Sequence, residues 1–164
     1  MKENLTVIDN INEDIKNLLP TTYNILNESN LTVHPSVYKI ILSGSRGLSN
    51  RFRENSDIDL SLLVDSKFLN KELNPEQILK EVLNVTLINW KSKVELDTVA
   101  VFDINNCNLK CFDYKSYSDK LCKMGDTDCL GLYKKQKGFH GYVPKIGISI
   151  KLIHPIITVW ERKR

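Results

Sequence analysis

The chain has 164 residues, 41% of them hydrophobic and 26% charged, and a net charge of +3. That is the length of one domain spanning 1–164, with enough apolar material for its own core, which excludes a disordered chain and a miniprotein held by disulfides. So mild a net charge does not by itself call for a nucleic-acid partner. Its distribution is uneven, however. From Gly125 onward Lys134, Lys135, Lys137, Lys145, Lys151, Arg162, Lys163 and Arg164 are opposed only by Asp126, Asp128 and Glu161. This suits an anionic ligand and equally describes a solvated basic face.

The opening MKENLTVIDN carries no apolar core of signal-peptide length, and no run approaches the ~18 apolar residues of a membrane span. A cytoplasmic chain without membrane contact is expected. Cys107, Cys111, Cys122 and Cys129 are then expected as reduced thiols, since their gaps form no Cys-x-x-Cys pair and neither His140 nor His154 stands at a usual zinc-ligand offset from another His.

Ile8, Ile11, Ile15, Leu18 and Leu19 recur at helical spacing, with Asp9 near the start and Pro20 as a stop. Thr21–Asn27 is a candidate for a short second helix before the turn-like NESN at 27–30. Tyr38–Leu42 and Ile58–Val64 are short apolar runs that predict core strands. Pro75 and Glu76 suit a first helical turn, and Ile78, Leu79, Val82 and Leu83 continue that helix to about Trp90. Lys93–Phe102 predicts a third strand, with Glu95, Asp97, Val99 and Val101 on one face by alternation. Residues 103–131 show no clear period. Ile146, Ile148, Ile150 and Leu152 alternate as a strand, Pro155 interrupts, and IITVW at 156–160 resumes. The expected fold is α+β, of α/β type: helices packed on a small mixed sheet.

The chemistry concentrates in Ile41–Asp59, ILSGSRGLSNRFRENSDID. Asp57 and Asp59 stand at i and i+2 where a strand begins, so their carboxylates share one side, ~7 Å apart along the backbone. Ile58 and Leu60 face the other way, into a core. Carboxylates aligned beside a core repel, and a divalent cation relieves them; hard oxygen ligands favour Mg²⁺, with Mn²⁺ as the alternative. Gly44 ends the preceding strand and lets a phosphate approach the backbone. Ser45 adds a hydroxyl, and successive amides in such a turn can form an anion nest. Arg46 follows, with Arg51 and Arg53 in the loop. Either element alone is commonplace, as a turn or as a solvated strand edge. A phosphate cradle facing a two-carboxylate metal site is the equipment of phosphoryl or nucleotidyl transfer.

Gly44-Ser45, eleven intervening residues and then Asp57-Ile58-Asp59-Leu60 resemble the signature of the DNA polymerase beta-like nucleotidyltransferase superfamily. With Ser56 ahead of the acids, the pattern looks most like the small bacterial minimal nucleotidyltransferases. The resemblance covers Ile40–Val64 and, more loosely, Lys93–Phe102. It implies a nucleotidyltransferase-like fold, a Gly-Ser turn holding triphosphate, and two Asp plus a third carboxylate from a later strand holding Mg²⁺. It also implies, for small members, a separate helical partner protein. The third carboxylate is expected at Asp97, central in its strand, with Glu95 on the same face as the competitor. Gly44, Ser45, Arg46 and Ser56 are the expected nucleotide contacts, and ATP the expected NTP.

GLYKKQKGFHGYVPK at 131–145 interleaves basic and aromatic residues with glycine. As a flexible loop it can stack a base and hold phosphate, or simply close the surface. Three functions follow. The first is an enzyme that moves a nucleotidyl group from an NTP to a hydroxyl on a small molecule, a protein side chain or an RNA end. The second is a nucleotide-binding module without turnover. The third is an RNA-binding domain on the same fold, which needs no intact acid triad.

Overall fold

A computed structural model of the chain describes residues 6–8, 10–68, 72, 77, 81–82, 85, 89–103, 131–136, 139–144 and 155–163. The fold is a small α+β arrangement. Strand β1 (Thr6–Val7) pairs antiparallel with β2 (Thr32–Val33). Between them lie helices α1 (Glu13–Leu18) and α2 (Pro20–Glu28). The strands β3 (Val37–Ser43), β4 (Ile58–Val64), β5 (Leu96–Asp103), β6 (Gly131–Gln136), β7 (Phe139–Pro144) and β8 (Ile157–Glu161) form a mixed sheet in the order β7-β6-β5-β4-β3-β8. Only β4 and β5 run parallel among its neighbouring pairs.

The first helix starts later than its apolar spacing predicts. The Asn12 side chain accepts from the Asp14 N–H at 3.0 Å and caps the helix there, while the Asn12 amide reaches the Thr158 carbonyl of β8. Ile8 and Ile11 precede the helix yet are buried, as is Ile15; Leu18 faces outward at 58% exposure. Pro20 opens the second helix rather than merely ending the first, at a position where its missing N–H costs nothing. The second helix ends at Ser29, whose hydroxyl bonds back to the Leu26 carbonyl, and Asn30 turns the chain at φ 55°.

One face of the sheet packs on these helices. Ile40, Leu42, Ile58, Leu60, Leu62, Val64 and Leu96 form one buried cluster with Ile15, Leu19 and Leu26. Each fully buried aliphatic side chain there contributes ~1.5–3 kcal/mol. Arg162, counted above with the basic C-terminal residues, is a clamp. Its guanidinium donates to the Val37 and His34 carbonyls and to Thr6 Oγ1, and lies 5.1 Å from the Trp160 ring centre.

Three further expectations change. The third strand begins at Leu96 rather than Lys93, so Glu95 lies outside it. Residues 131–136 and 139–144 are not a loop: they form β6 and β7 at the sheet's edge, where antiparallel pairing from Gly131↔Pro144 to Gln136↔Phe139 satisfies their amides. Alternation along β5 is also interrupted, since Leu60 pairs with Thr98 but Leu62 with Val101. Two steps along β4 match three along β5, which is a bulge in β5.

Gln77, Glu81, Val82 and Val85 are helical, as expected for 75–90, whereas Asn89 is a turn and Trp90 lies outside any helix; the other residues of that stretch lie outside the described ones. So do Asp9, the four cysteines and the expected strand at 146–152. No helix among the described residues is long and apolar enough to cross a membrane.

Candidate active site

Strand β3 runs toward the site and ends at Ser43; β4 starts there and runs away. Their antiparallel register sets Ser43 opposite Asp59. The parallel register of β4 and β5 sets Asp59 beside Asp97, with the buried pair Ile58 and Leu96 one step earlier. The Gly-Ser turn, Asp59 and Asp97 therefore occupy consecutive strands at one end of the sheet. Adjacent strands lie ~4.8 Å apart, so side chains in such a row are neighbours.

Burial follows the alternation that the sequence predicts. Asp57 and Asp59 are half-buried, while Ile58 and Leu60 between and beyond them are buried. Asp97 is only 9% exposed, whereas Glu95 is exposed and contributes its carbonyl, which accepts from the Ile58 N–H at 2.9 Å. Of the two candidates for a third carboxylate, Asp97 alone lies in the row with Asp59. Ser61, on the same face two residues past Asp59, is fully buried and gave no signal in the sequence beyond its place in an apolar run.

Gly44 takes φ 73°, a conformation that favours glycine. A Cβ at this position would collide with Oδ2 of Asp59. Close approach of turn and carboxylate thus depends on the absence of a side chain. Behind the turn the chain folds back on itself. The Gly47 amide donates to the Gly44 carbonyl at 3.1 Å, the Ser49 hydroxyl donates to the same oxygen, and the Arg51 amide donates to the Ser45 carbonyl at 2.9 Å.

Arg46, expected as a nucleotide contact, is turned into its own loop in this arrangement. It is 3% exposed; its Nε donates to the Ser56 carbonyl at 2.7 Å, and Nη2 donates to the carbonyls of Arg53 and Glu54 at 3.3 and 3.2 Å. Its guanidinium also stacks 4.8 Å from the Phe52 ring centre, and its own carbonyl accepts from Thr22 Oγ1 of α2 at 2.7 Å. Fork geometry lets one arginine tie several carbonyls of the loop together. Ser56 is likewise part of the brace: its hydroxyl accepts from the Arg53 N–H at 2.8 Å, and its amide donates to the Arg53 carbonyl. Gly44 and Ser45, at the turn itself, are exposed and half-buried respectively. Beside this loop lies a cavity of about 340 Å³ lined by Leu19, Pro20, Thr21, Thr22, Asn50 and Phe52. Sequence spacing gave no sign of it, because it joins a helix start to a distant loop.

The donor set suits a hard divalent cation. Asp59 and Asp97, with Asp57 at the strand entry, offer only carboxylate oxygens, which favour Mg²⁺ or Mn²⁺. Among the described residues no three His, Cys, Asp or Glu side chains converge closely enough to hold a metal by themselves. A Mg²⁺ site needs less, since one or two carboxylates with water and ligand oxygens are its usual complement. Asp59 and Asp97, in register on neighbouring strands, are the two carboxylates that could contribute to such a complement. No family model, curated protein or solved structure matches the chain.

Proposed function

We propose that the chain is a Mg²⁺-dependent nucleotidyltransferase with a DNA polymerase beta-like site. It moves an NMP group from an NTP, ATP foremost, to an acceptor hydroxyl and releases pyrophosphate. The observation that carries this reading is the row of Ser43-Gly44, Asp59 and Asp97 across three neighbouring strands. A ligand with a polyphosphate and a metal-bridged reacting phosphorus needs a cradle and carboxylates side by side, and this row supplies both.

In this proposal Gly44 and Ser45 seat the phosphates through backbone amides and the serine hydroxyl. Asp59 and Asp97, with Asp57 at the strand entry, would hold Mg²⁺ together with oxygens of water and ligand, and the ion would offset the charge of the polyphosphate. Asp97 takes the proton of the attacking hydroxyl. That oxygen forms a bond to the α-phosphorus, and the bond from the α-phosphorus to the leaving pyrophosphate oxygen breaks. Arg46 and Ser56 act at one remove, by fixing the loop that carries the turn.

Incubating the purified chain with each NTP and Mg²⁺, and following pyrophosphate release alongside the protein's mass, tests the proposal. Release that needs Mg²⁺ and disappears in Asp59→Asn supports it. Nucleotide binding without release from any NTP moves the reading to a binding module without turnover.

A further inference from the structure

Arg46, Arg51 and Arg53 all stand in the loop between β3 and β4, and the fold treats each differently. Arg46 is buried, with its guanidinium committed to the carbonyls of Arg53, Glu54 and Ser56. Arg51 and Arg53 are exposed, and among the described residues neither side chain has a hydrogen-bond or ion-pair partner. Their main chains are held at different places. The Arg51 amide donates to the Ser45 carbonyl at 2.9 Å, whereas the Arg53 amide donates to Ser56 Oγ at 2.8 Å.

Local conformation explains how Arg51 reaches the Gly-Ser turn. Asn50 adopts φ 50°, a left-handed conformation that asparagine tolerates, and its amide donates to the Gly47 carbonyl at 2.9 Å. The chain reverses there and lays Arg51 back against Ser45. Phe52, the next residue, is half-buried and stacks on the Arg46 guanidinium. The Arg51 main chain is thus pinned on both sides. It stands one hydrogen bond and one residue from Gly44, the glycine that gives the Asp59 carboxylate its room.

We propose that Arg51 is a further ligand-binding residue of this site, whose guanidinium holds the polyphosphate of a nucleoside triphosphate at the Gly44–Ser45 turn. The inference rests on the nucleotide reading above. Neighbouring acids repel a phosphate chain, and a guanidinium beside the turn offsets that repulsion. The planar fork of arginine matches two phosphate oxygens at once, and its long side chain spans a turn to which its own amide is bonded. Arg53 provides the comparison. It is followed by Glu54 and bonded to Ser56, the residue before Asp57, so acids offset its charge. Arg51 has the neutral neighbours Asn50 and Phe52.

The test is calorimetric titration, with Mg²⁺ present, of a non-hydrolysable ATP analogue and separately of inorganic pyrophosphate. Wild type, Asp59→Asn, Arg51→Met and Arg53→Met are compared, with Arg51→Gln used should the Met variant not fold. Loss of one charge-assisted phosphate contact weakens binding about tenfold. That loss is expected for both ligands in Arg51→Met, with an unchanged ligand-free melting temperature. Arg53→Met is expected to stay within about threefold of wild type. Equal losses in the two Met variants overturn the inference, because they reflect basicity and not placement. A loss for the ATP analogue alone overturns it too, by moving Arg51 from the phosphates to the nucleoside. So does an Arg51→Met chain that melts earlier and binds normally, which is the behaviour of a loop brace. Binding that needs Asp59 but ignores Arg51 removes the inference and leaves the site standing. A wild-type chain that binds neither ligand removes both.

Discussion

Gly44 leaves Asp59 the room it occupies. A Cβ added to the glycine would overlap the carboxylate, lying 2.8 Å from Cγ as well as against Oδ2. The same glycine takes φ 73°, so an alanine there meets two separate penalties, one of backbone and one of contact.

Gly44→Ala is therefore expected to lower stability by about 1–3 kcal/mol, combining a left-handed backbone with the displaced acid. Urea unfolding of Gly44→Ala, Asp59→Ala and the double variant separates the parts. In the Asp59→Ala background the glycine substitution is expected to keep only its backbone cost, about 1–2 kcal/mol. An identical cost in both backgrounds would show that the carboxylate does not press on this position.

Arg46→Lys keeps the charge and removes the fork. A phosphate contact tolerates that exchange in part, whereas a brace that ties Ser56, Arg53 and Glu54 carbonyls does not. The expected result is a loss of about 2–3 kcal/mol in unfolding free energy, since buried carbonyls lose charge-assisted partners. Limited proteolysis is expected to reach the loop at 50–56 sooner. Wild-type stability with weakened nucleotide binding would return Arg46 to the ligand.

Metal and nucleotide are expected to bind together. Asp59 and Asp97 stand side by side in register, and their mutual repulsion falls only when a cation lies between them and the phosphates. Mg²⁺ with ATP should then raise the melting temperature more than the sum of the two added singly. Equal shifts for ATP with Mg²⁺ and with a chelator would speak against a carboxylate metal site.

Much of this architecture is legible in the residues. The apolar run Ile58–Val64 has the strand's own boundaries, because turn-forming polar residues precede it and Asp65 follows. The half-buried acids and buried Ile58 and Leu60 follow from strand alternation alone. Distant partners are not legible in this way. Arg46 sits beside Gly-Ser and reads as a phosphate cation, and only the folded-back carbonyls of 53–56 show its other task. The bulge in β5 leaves no mark in LDTVAVFD, yet it shifts the register of β5 against β4. The pairing of β6 with β7 was hidden because Gly141 and the lysines of β6 are poor strand formers by propensity, and pairing overrode that preference.

The central claim is that Asp97, and not Glu95, completes a site with Asp59. Asp97 is buried in register with Asp59, and Glu95 is exposed ahead of the strand. The most direct measurement is Mg²⁺-dependent pyrophosphate release by Asp97→Asn and Glu95→Gln beside wild type. Loss of a metal-holding base removes several kcal/mol of barrier lowering, so Asp97→Asn is expected to fall by about three orders of magnitude or more, and Glu95→Gln by about tenfold or less. The reverse ranking, or full activity in Asp97→Asn, contradicts the account.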